Sequence, residues 1–208
     1  MRTLLCLFVL LLHPLPAQQQ PAPAERKLES LLLMPEPKAL RGAYSITLPN
    51  SKRTVFTCYR ESTEAFNGVE AYTPEAFAKL GLSVESFAAR AKTAADKRLL
   101  QLKPELIKGE DGRIAYAVYR GESPLFATLI IAPSLPKIFA DLFGQEVWAA
   151  TPDRHSLYIF PAKAELVDEF AADLAERYAS DAYAASCEIF ALKSGTEPRV
   201  IASFAGDE

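Results

Sequence analysis

The order of the strand-like and helix-like segments is the feature of this sequence that most restricts its fold. From residue 43 onward, pairs of short strand-like segments joined by turn residues alternate with amphipathic helical segments. Short turns of this kind join antiparallel strands. The alternative is a doubly wound parallel sheet, which needs a strict strand–helix–strand alternation that this sequence lacks. We therefore predict an α+β fold: an antiparallel or mixed sheet built from hairpins, with helices packed mainly on one face. The predicted strands are 43–48, 54–59, 105–108, 113–119, 125–132, 146–150, 156–160, 187–192 and 199–204.

Capping residues mark the predicted helices. Thr73 and Ser83 are typical N-cap residues, and Gly81 ends the first of the two helices that they open. Apolar residues recur three or four positions apart after Ser83, which places one stripe of this long helix against a core. Similar patterns predict further helices over 134–144 and 162–178.

The first 17 residues have the pattern of a secretory signal peptide. Arg2 precedes an apolar run over 4–12, prolines end the run, and Ala17 offers a small residue for cleavage. The run is about half the roughly 20 residues that a membrane-spanning helix needs. We predict cleavage after Ala17 and an exported bacterial protein, periplasmic or extracellular. The alternatives are an uncleaved anchor and a buried amino-terminal helix.

The rest of the chain is predicted to contain one domain. Residues 18–42 are predicted to be a linker, which begins with a segment rich in Gln, Pro and Ala and includes a short helix over 25–34. Residues 43–208 are predicted to form a single α+β domain. No apolar run after the signal peptide is long enough to span a bilayer, so we predict no transmembrane segment after cleavage.

Two cysteines remain after the predicted cleavage, Cys58 and Cys187. An isolated pair in an oxidising compartment is a disulfide candidate. The alternative is two buried free thiols that pack as small apolar side chains.

The sequence lacks the patterns of most common ligand sites. A formal net charge of −3 disfavours nucleic acid as the main partner. His155 is the only histidine after cleavage, so a zinc site with several histidines cannot form within one chain. No phosphate loop, dinucleotide fingerprint or nucleophile elbow is present. We therefore predict no cofactor and no metal.

Functional groups are concentrated in one predicted turn, at Asp153, Arg154, His155 and Ser156. A carboxylate, a guanidinium, an imidazole and a hydroxyl could form an acid–base or anion-binding cluster. The alternative is an ordinary hairpin tip whose polar side chains face water. We assign no catalytic residue here; His155, Asp153 and Arg154 are only candidates. Trp148, on the preceding strand, is a candidate pocket residue, and packing in the core is its alternative role.

Three motifs carry a family resemblance. They are the short helix and following turn at 74–86 before an Ala-rich helix, the strand 146–152 leading through Arg154 into 157–160, and the segment 186–190 after the last helix. Together they make the region from 65 to 203 similar to the bacterial YtpQ-like family, a domain of unknown function. The resemblance implies an α+β fold and a cytoplasmic location and brings no activity. The family has an Arg-Asp pair where this chain has Arg154 and His155, so no role is carried over for that acidic position.

Three hypotheses about function follow. The first is a non-catalytic envelope domain that binds a protein or peptide through a sheet edge or groove, favoured by the export pattern and the missing catalytic motifs. The second is a hydrolase or transferase that uses His155 with a nearby carboxylate such as Asp153. The third is a small-molecule carrier with an apolar pocket near Trp148.

Overall fold

The computed structural model describes residues 31–205, except for the side chains of Ala164 and Leu166. The predicted signal peptide at 1–17 lies outside the described residues, and so does the part of the predicted linker and helix before residue 31.

The smaller of two antiparallel sheets is built around one central strand. It contains β1 (Leu31–Pro37), β2 (Ser45–Ile46), β3 (Thr54–Glu61) and β4 (Val69–Ala71). β3 pairs with β1 from Thr54 to Arg60, and on its other side with β2 and β4. We call this the small sheet.

The large sheet has six strands in the order β10-β9-β7-β8-β6-β5, with every neighbouring pair antiparallel. Short turns join β5 to β6, β7 to β8 and β9 to β10, as the strand pairs in the sequence predict. Its strands are β5 (Glu105–Lys108), β6 (Ile114–Arg120), β7 (Glu146–Ala150), β8 (Ser156–Pro161), β9 (Glu188–Lys193) and β10 (Arg199–Ser203).

The helices begin where the capping residues predict. The hydroxyl oxygens of Thr73 and Ser83 accept hydrogen bonds from the backbone N–H groups of Ala76 and Ser86, at 3.2 and 3.1 Å. No helix among the described residues is both long and apolar enough to cross a membrane. The helices are α1 (Pro74–Ala78), α2 (Val84–Leu99), α3 (Leu135–Ile138), α4 (Ala140–Phe143) and α5 (Ala164–Ser180), with 3-10 helices at Lys38–Leu40 and Phe126–Ile131.

The large sheet separates two apolar clusters. One face packs with the small sheet and helices α1 to α4 in the main core, which includes Phe56, Phe87 and Phe190. The other face packs against α5 through Phe160 and Val167. The α+β class is thus confirmed, with most helices on one face of the large sheet and α5 alone on the other.

Residues 31–34 form the start of β1, so the predicted helix over 25–34 is wrong for these residues. Leu31 and Leu33 lie in the main core, whereas Leu32 and Met34 pack on the opposite side of the small sheet. A strand buried on both faces is a continuous apolar run, which cannot be distinguished from a helix by periodicity. The folded domain therefore includes β1 rather than starting at residue 43.

The apolar run at 125–132 is a 3-10 helix, Phe126–Ile131, and the strand predicted there is wrong. Residues Ala127 to Ile131 are all buried, so the run fills the core between the two sheets. The same ambiguity of short apolar runs explains this error.

Candidate functional site

The turn between β7 and β8, which holds the candidate catalytic residues, is buried. Asp153 and Arg154 are only 5% and 8% exposed, so the expectation that this turn faces water is wrong for both. The N–H of Arg154 donates to the carbonyl of Tyr183, and the N–H of Ala127 donates to the carbonyl of Arg154, both at 3.2 Å. These backbone bonds fix the turn against two distant segments of the chain.

Asp153 holds the shape of this turn. Its Oδ1 accepts a hydrogen bond from the backbone N–H of His155, and its Oδ2 accepts one from the hydroxyl of Ser156, each at 2.8 Å. A side-chain carboxylate that accepts from the backbone two residues on is a common turn-stabilising arrangement. Both oxygens of Asp153 therefore have structural partners.

The imidazole of His155 is placed beside an aromatic ring. The residue is half-buried, and its ring meets that of Tyr183 edge to face, with centroids 6.1 Å apart. Within the described chain, His155 contacts Asp153 through its backbone and makes no hydrogen bond through its ring. The structure brings the two candidates next to each other without forming an imidazole–carboxylate pair.

Arg154 reaches from the large sheet to the small sheet. Its Nη2 lies 3.2 Å from the hydroxyl of Tyr59 and 3.4 Å from Oε2 of Glu36. The guanidinium carbon also lies 5.1 Å from the ring centroid of Tyr59 and 5.9 Å from that of Tyr183, within the range of cation–π attraction. Its Nε is buried and has no hydrogen-bond partner among the described residues.

Glu36, on β1, is the residue that the sequence reasoning missed. It is 2% exposed, and its carboxylate accepts hydrogen bonds from the N–H of Gly42 and the hydroxyl of Tyr59, both at 3.0 Å, and from the hydroxyl of Thr57. The sequence did contain one signal of its role: Glu36 stands in an apolar segment, and a charged side chain that is buried with such a segment needs a buried partner. The partner, Arg154, is 118 residues away, and nothing local identifies it.

The hydroxyl of Tyr59 bridges the two charged groups. It accepts from Arg154 and donates to Glu36. Burial is the main cause that raises its pKa, and the positive charge of Arg154 acts in the opposite direction. The network of Glu36, Tyr59, Thr57 and Arg154 pairs its charges internally, and its evident effect is to hold the two sheets together.

A second buried carboxylate, Glu188 on β9, holds the turn between β2 and β3. Its Oε1 accepts from the N–H groups of Lys52 and Arg53 at 2.7 and 3.0 Å, and its Oε2 accepts from the hydroxyl of Ser51 at 2.6 Å. Glu188 is 2% exposed. At two places, therefore, a buried glutamate of one sheet accepts hydrogen bonds from donors of the other.

Both cysteines are free and buried, and they are not at bonding distance. The structure therefore does not show the candidate disulfide between Cys58 and Cys187, and it agrees with the alternative of two buried thiols. Burial raises the pKa of Cys58 to about 12, so its thiol stays protonated near neutral pH. No group of three or more potential metal ligands is found among the residues described.

Trp148 is half-buried and packs with the cluster beneath α5. Its indole N–H donates to Glu146 at 3.3 Å. The compact apolar cavity of about 240 Å³ lies on the other face of the large sheet, near Ile131, Pro136 and Leu192, and Trp148 does not line it. The position of Trp148 agrees with the packing role that we gave as the alternative.

The outer strands differ in what covers their edges. At β10, the N–H of Val200 donates to the carbonyl of Pro49 at 3.0 Å, so the turn between β2 and β3 covers part of that edge. β1 is buried along six of its seven residues. By contrast, β5 is mostly exposed, and 48% of the surface of Leu106 is open to solvent.

The backbone of β5 points hydrogen-bonding groups outward at two residues. The N–H of Gly109 donates to the carbonyl of Arg113 at 2.8 Å, so Gly109 faces β6. Because successive residues of a strand alternate, Ile107 also faces β6, and the N–H and C=O groups of Leu106 and Lys108 point away from it. These outward groups make no hydrogen bond within residues 31–205.

A groove lies beside this open edge, between the β5–β6 hairpin and the start of α5. Its volume is about 670 Å³. Ile107, Tyr116 and Phe170 form its apolar floor, and charged side chains stand around it. We call it the β5–α5 groove.

Comparison of this chain with known protein families, curated proteins and solved structures found no match. No family model matches the chain, and neither a curated protein nor a solved structure matches it. The resemblance to the YtpQ-like family therefore stays a prediction.

Proposed function

We propose that this chain is an exported, non-catalytic domain that binds an extended segment of an envelope protein or peptide by adding it as a strand to β5. The observation that carries the proposal is the exposed edge of β5, where the N–H and C=O groups of Leu106 and Lys108 point away from β6. An added strand satisfies such groups with main-chain hydrogen bonds.

The β5–α5 groove supports this mode of binding. Main-chain bonds at a sheet edge provide affinity, whereas side-chain contacts beside the edge provide specificity. Ile107 and Phe170 line the groove next to the strand and offer an apolar contact to alternate side chains of a bound segment. The signal-peptide pattern of residues 1–17 supports the exported location.

The test uses a photo-cross-linking amino acid at position 108, introduced into the full chain in its own cells. Leu106→Pro removes one outward N–H and no bond of the β5–β6 ladder, so we expect the fold to persist and cross-linking to fall about tenfold. Leu106→Ala is the matched control, because it keeps the N–H and shortens the side chain. We expect it to reduce cross-linking far less.

Equal cross-linking in the proline and alanine variants would overturn strand addition. Circular dichroism of both variants establishes that they are folded. Sequencing the amino end of the purified protein tests the export part separately, with Gln18 expected as the first residue, whereas an intact residue 1 would contradict it.

We propose no second function. The hydrolase and carrier hypotheses stay predictions. The structure favours neither, because Asp153 is bonded to Ser156, and Trp148 packs beneath α5 and does not line the apolar cavity near Leu192.

A further inference from the structure

We infer that the segment bound at β5 is basic, with Lys or Arg side chains that face α5. This inference rests on the proposed strand addition and specifies the class of partner that it would take.

The outward side of α5 is strongly acidic. Its acidic residues lie mostly three or four positions apart, a spacing that places them on one side of the helix. All are exposed, and none makes an ion pair with any described residue, whereas the one basic residue of the helix, Arg177, packs over the ring of Tyr158 at 6.0 Å. The acidic residues are Glu165, Asp168, Glu169, Asp173 and Glu176.

Two of these carboxylates stand at the β5–α5 groove. Glu165 and Glu169 line it together with Ile107 and Phe170. A strand added beside β5 would present every second side chain to the α5 side of the sheet. Successive side chains on that side are about 7 Å apart, so one could pack near Ile107 while the next reaches the acidic wall.

Basic groups of the groove only partly offset this charge. Lys108, Arg113 and Lys163 also line it, against Glu110, Asp111, Glu165 and Glu169. Arg113 lies 3.9 Å from Asp111, in an exposed pair at the tip of the hairpin. The rest of α5 adds three carboxylates, at Asp168, Asp173 and Glu176, and one positive charge, at Arg177, so the field at the groove favours a cationic segment.

The test measures binding of fluorescent peptides to the purified protein. One peptide carries leucine and lysine in turn at every second residue, so that both face the same side of the strand, with threonine at the residues between them. A second peptide replaces lysine with glutamate, a third replaces it with glutamine, and a fourth is the lysine peptide N-methylated at alternate residues. We expect the lysine peptide to bind at least about tenfold more tightly than the glutamate peptide. Its affinity should fall as salt is added, because exposed charges are screened. N-methylation should abolish binding, because it removes the donors that an added strand needs.

Protein variants locate the charge effect. We expect the double variant Glu165→Gln/Glu169→Gln to weaken the lysine peptide by about threefold to tenfold and to leave the glutamine peptide unchanged. The matched control, Asp173→Asn/Glu176→Gln, removes the same charge farther along α5 and should have a smaller effect.

The outcomes separate the two proposals. Equal binding of the lysine and glutamate peptides, with binding still lost on N-methylation, would overturn the basic partner and leave strand addition standing. Binding that survives N-methylation and the Leu106→Pro change would overturn strand addition itself. Failure of all the peptides to bind would overturn both.

Discussion

Nη2 of Arg154 lies 3.4 Å from Oε2 of Glu36, so one ion pair joins the β7–β8 turn of the large sheet to β1 of the small sheet. The side chains are 10% and 2% exposed. A pair so little exposed to solvent differs from a surface salt bridge, because loss of one partner leaves the other charge desolvated and unpaired.

Glu36→Gln should therefore lower the free energy of unfolding by about 3 kcal/mol or more. The substitution keeps the shape of the side chain and removes the charge that faces Arg154. Urea unfolding followed by the fluorescence of Trp148 measures the effect. The matched control is Glu105→Gln, since Glu105 pairs with Arg120 at 2.6 Å with both side chains about half exposed. That change should cost less than about 1 kcal/mol. Similar losses in the two variants would contradict a structural role for the buried pair.

Local signals in the sequence predicted the parts of the fold that local chemistry decides. Thr73 and Ser83 cap their helices because a hydroxyl one turn before an apolar stripe has a defined partner. The hairpins follow from turn residues between short strands. The 31–34 and 125–132 segments were predicted wrongly because each is apolar throughout, and burial on all sides removes the periodicity that separates strand from helix.

The candidate site was less predictable, because its contacts are distant in sequence. Asp153 and Arg154 were expected to face water as polar residues of a turn, and backbone bonds with Tyr183 and Ala127 bury them instead. The partner of Arg154, Glu36, lies in a segment predicted to be a linker. The open edge of β5 depends on the strand order of the large sheet, which the sequence pattern did not specify.

Glu188 should stabilise the turn between β2 and β3 and slow hydrogen exchange at its backbone amides. Glu188→Ala leaves the N–H groups of Lys52 and Arg53 without the acceptor that they share, so we expect a loss of about 2–4 kcal/mol of unfolding free energy. Amide hydrogen exchange adds a local measurement, in which Lys52 and Arg53 should exchange faster while the amides of α2 change only with global stability.

Glu146→Gln is the comparison for this experiment. Glu146 accepts from Trp148 and lies near Arg199, and its side chain is 35% exposed. We expect its replacement to leave exchange at residues 52 and 53 unchanged. Protection of these two amides that persists in Glu188→Ala would show that the carboxylate does not hold the turn.

Free thiols should be found only after unfolding. In the chain from residue 18, the two cysteines should resist a thiol reagent in the folded state at neutral pH, because both are buried. In denaturant, without a reductant, two thiols per chain should react. No thiol reacting under those conditions would indicate a disulfide between Cys58 and Cys187.

Stability should decrease in alkaline solution. Burial raises the pKa of Cys58 from 9.0 to about 12 and that of Tyr119 from 10.0 to about 12. Because the unfolded chain loses these protons first, their contribution to stability is complete below pH 9 and is lost as the pH rises towards 12. Unfolding in urea across this range measures the decline.

Variants assign this decline to particular groups. Tyr119→Phe keeps the ring against Phe139 and removes the hydroxyl, so the decline above pH 10 should be shallower. Cys58→Ala should flatten the part that begins at pH 9. A decline identical to that of the unmodified chain in both variants would assign the effect to other groups.

The two buried glutamates also affect when the chain can complete its fold. The small sheet is made by the first part of the chain, but the partners of Glu36 and of the Lys52 amide lie 118 and 136 residues later. A chain that emerges amino end first, from a ribosome or a translocation channel, exposes β1 and β3 long before Arg154 and Glu188 exist outside. Until then the small sheet carries an unpaired carboxylate and an uncovered apolar surface, so stable folding must wait until nearly the whole chain has emerged.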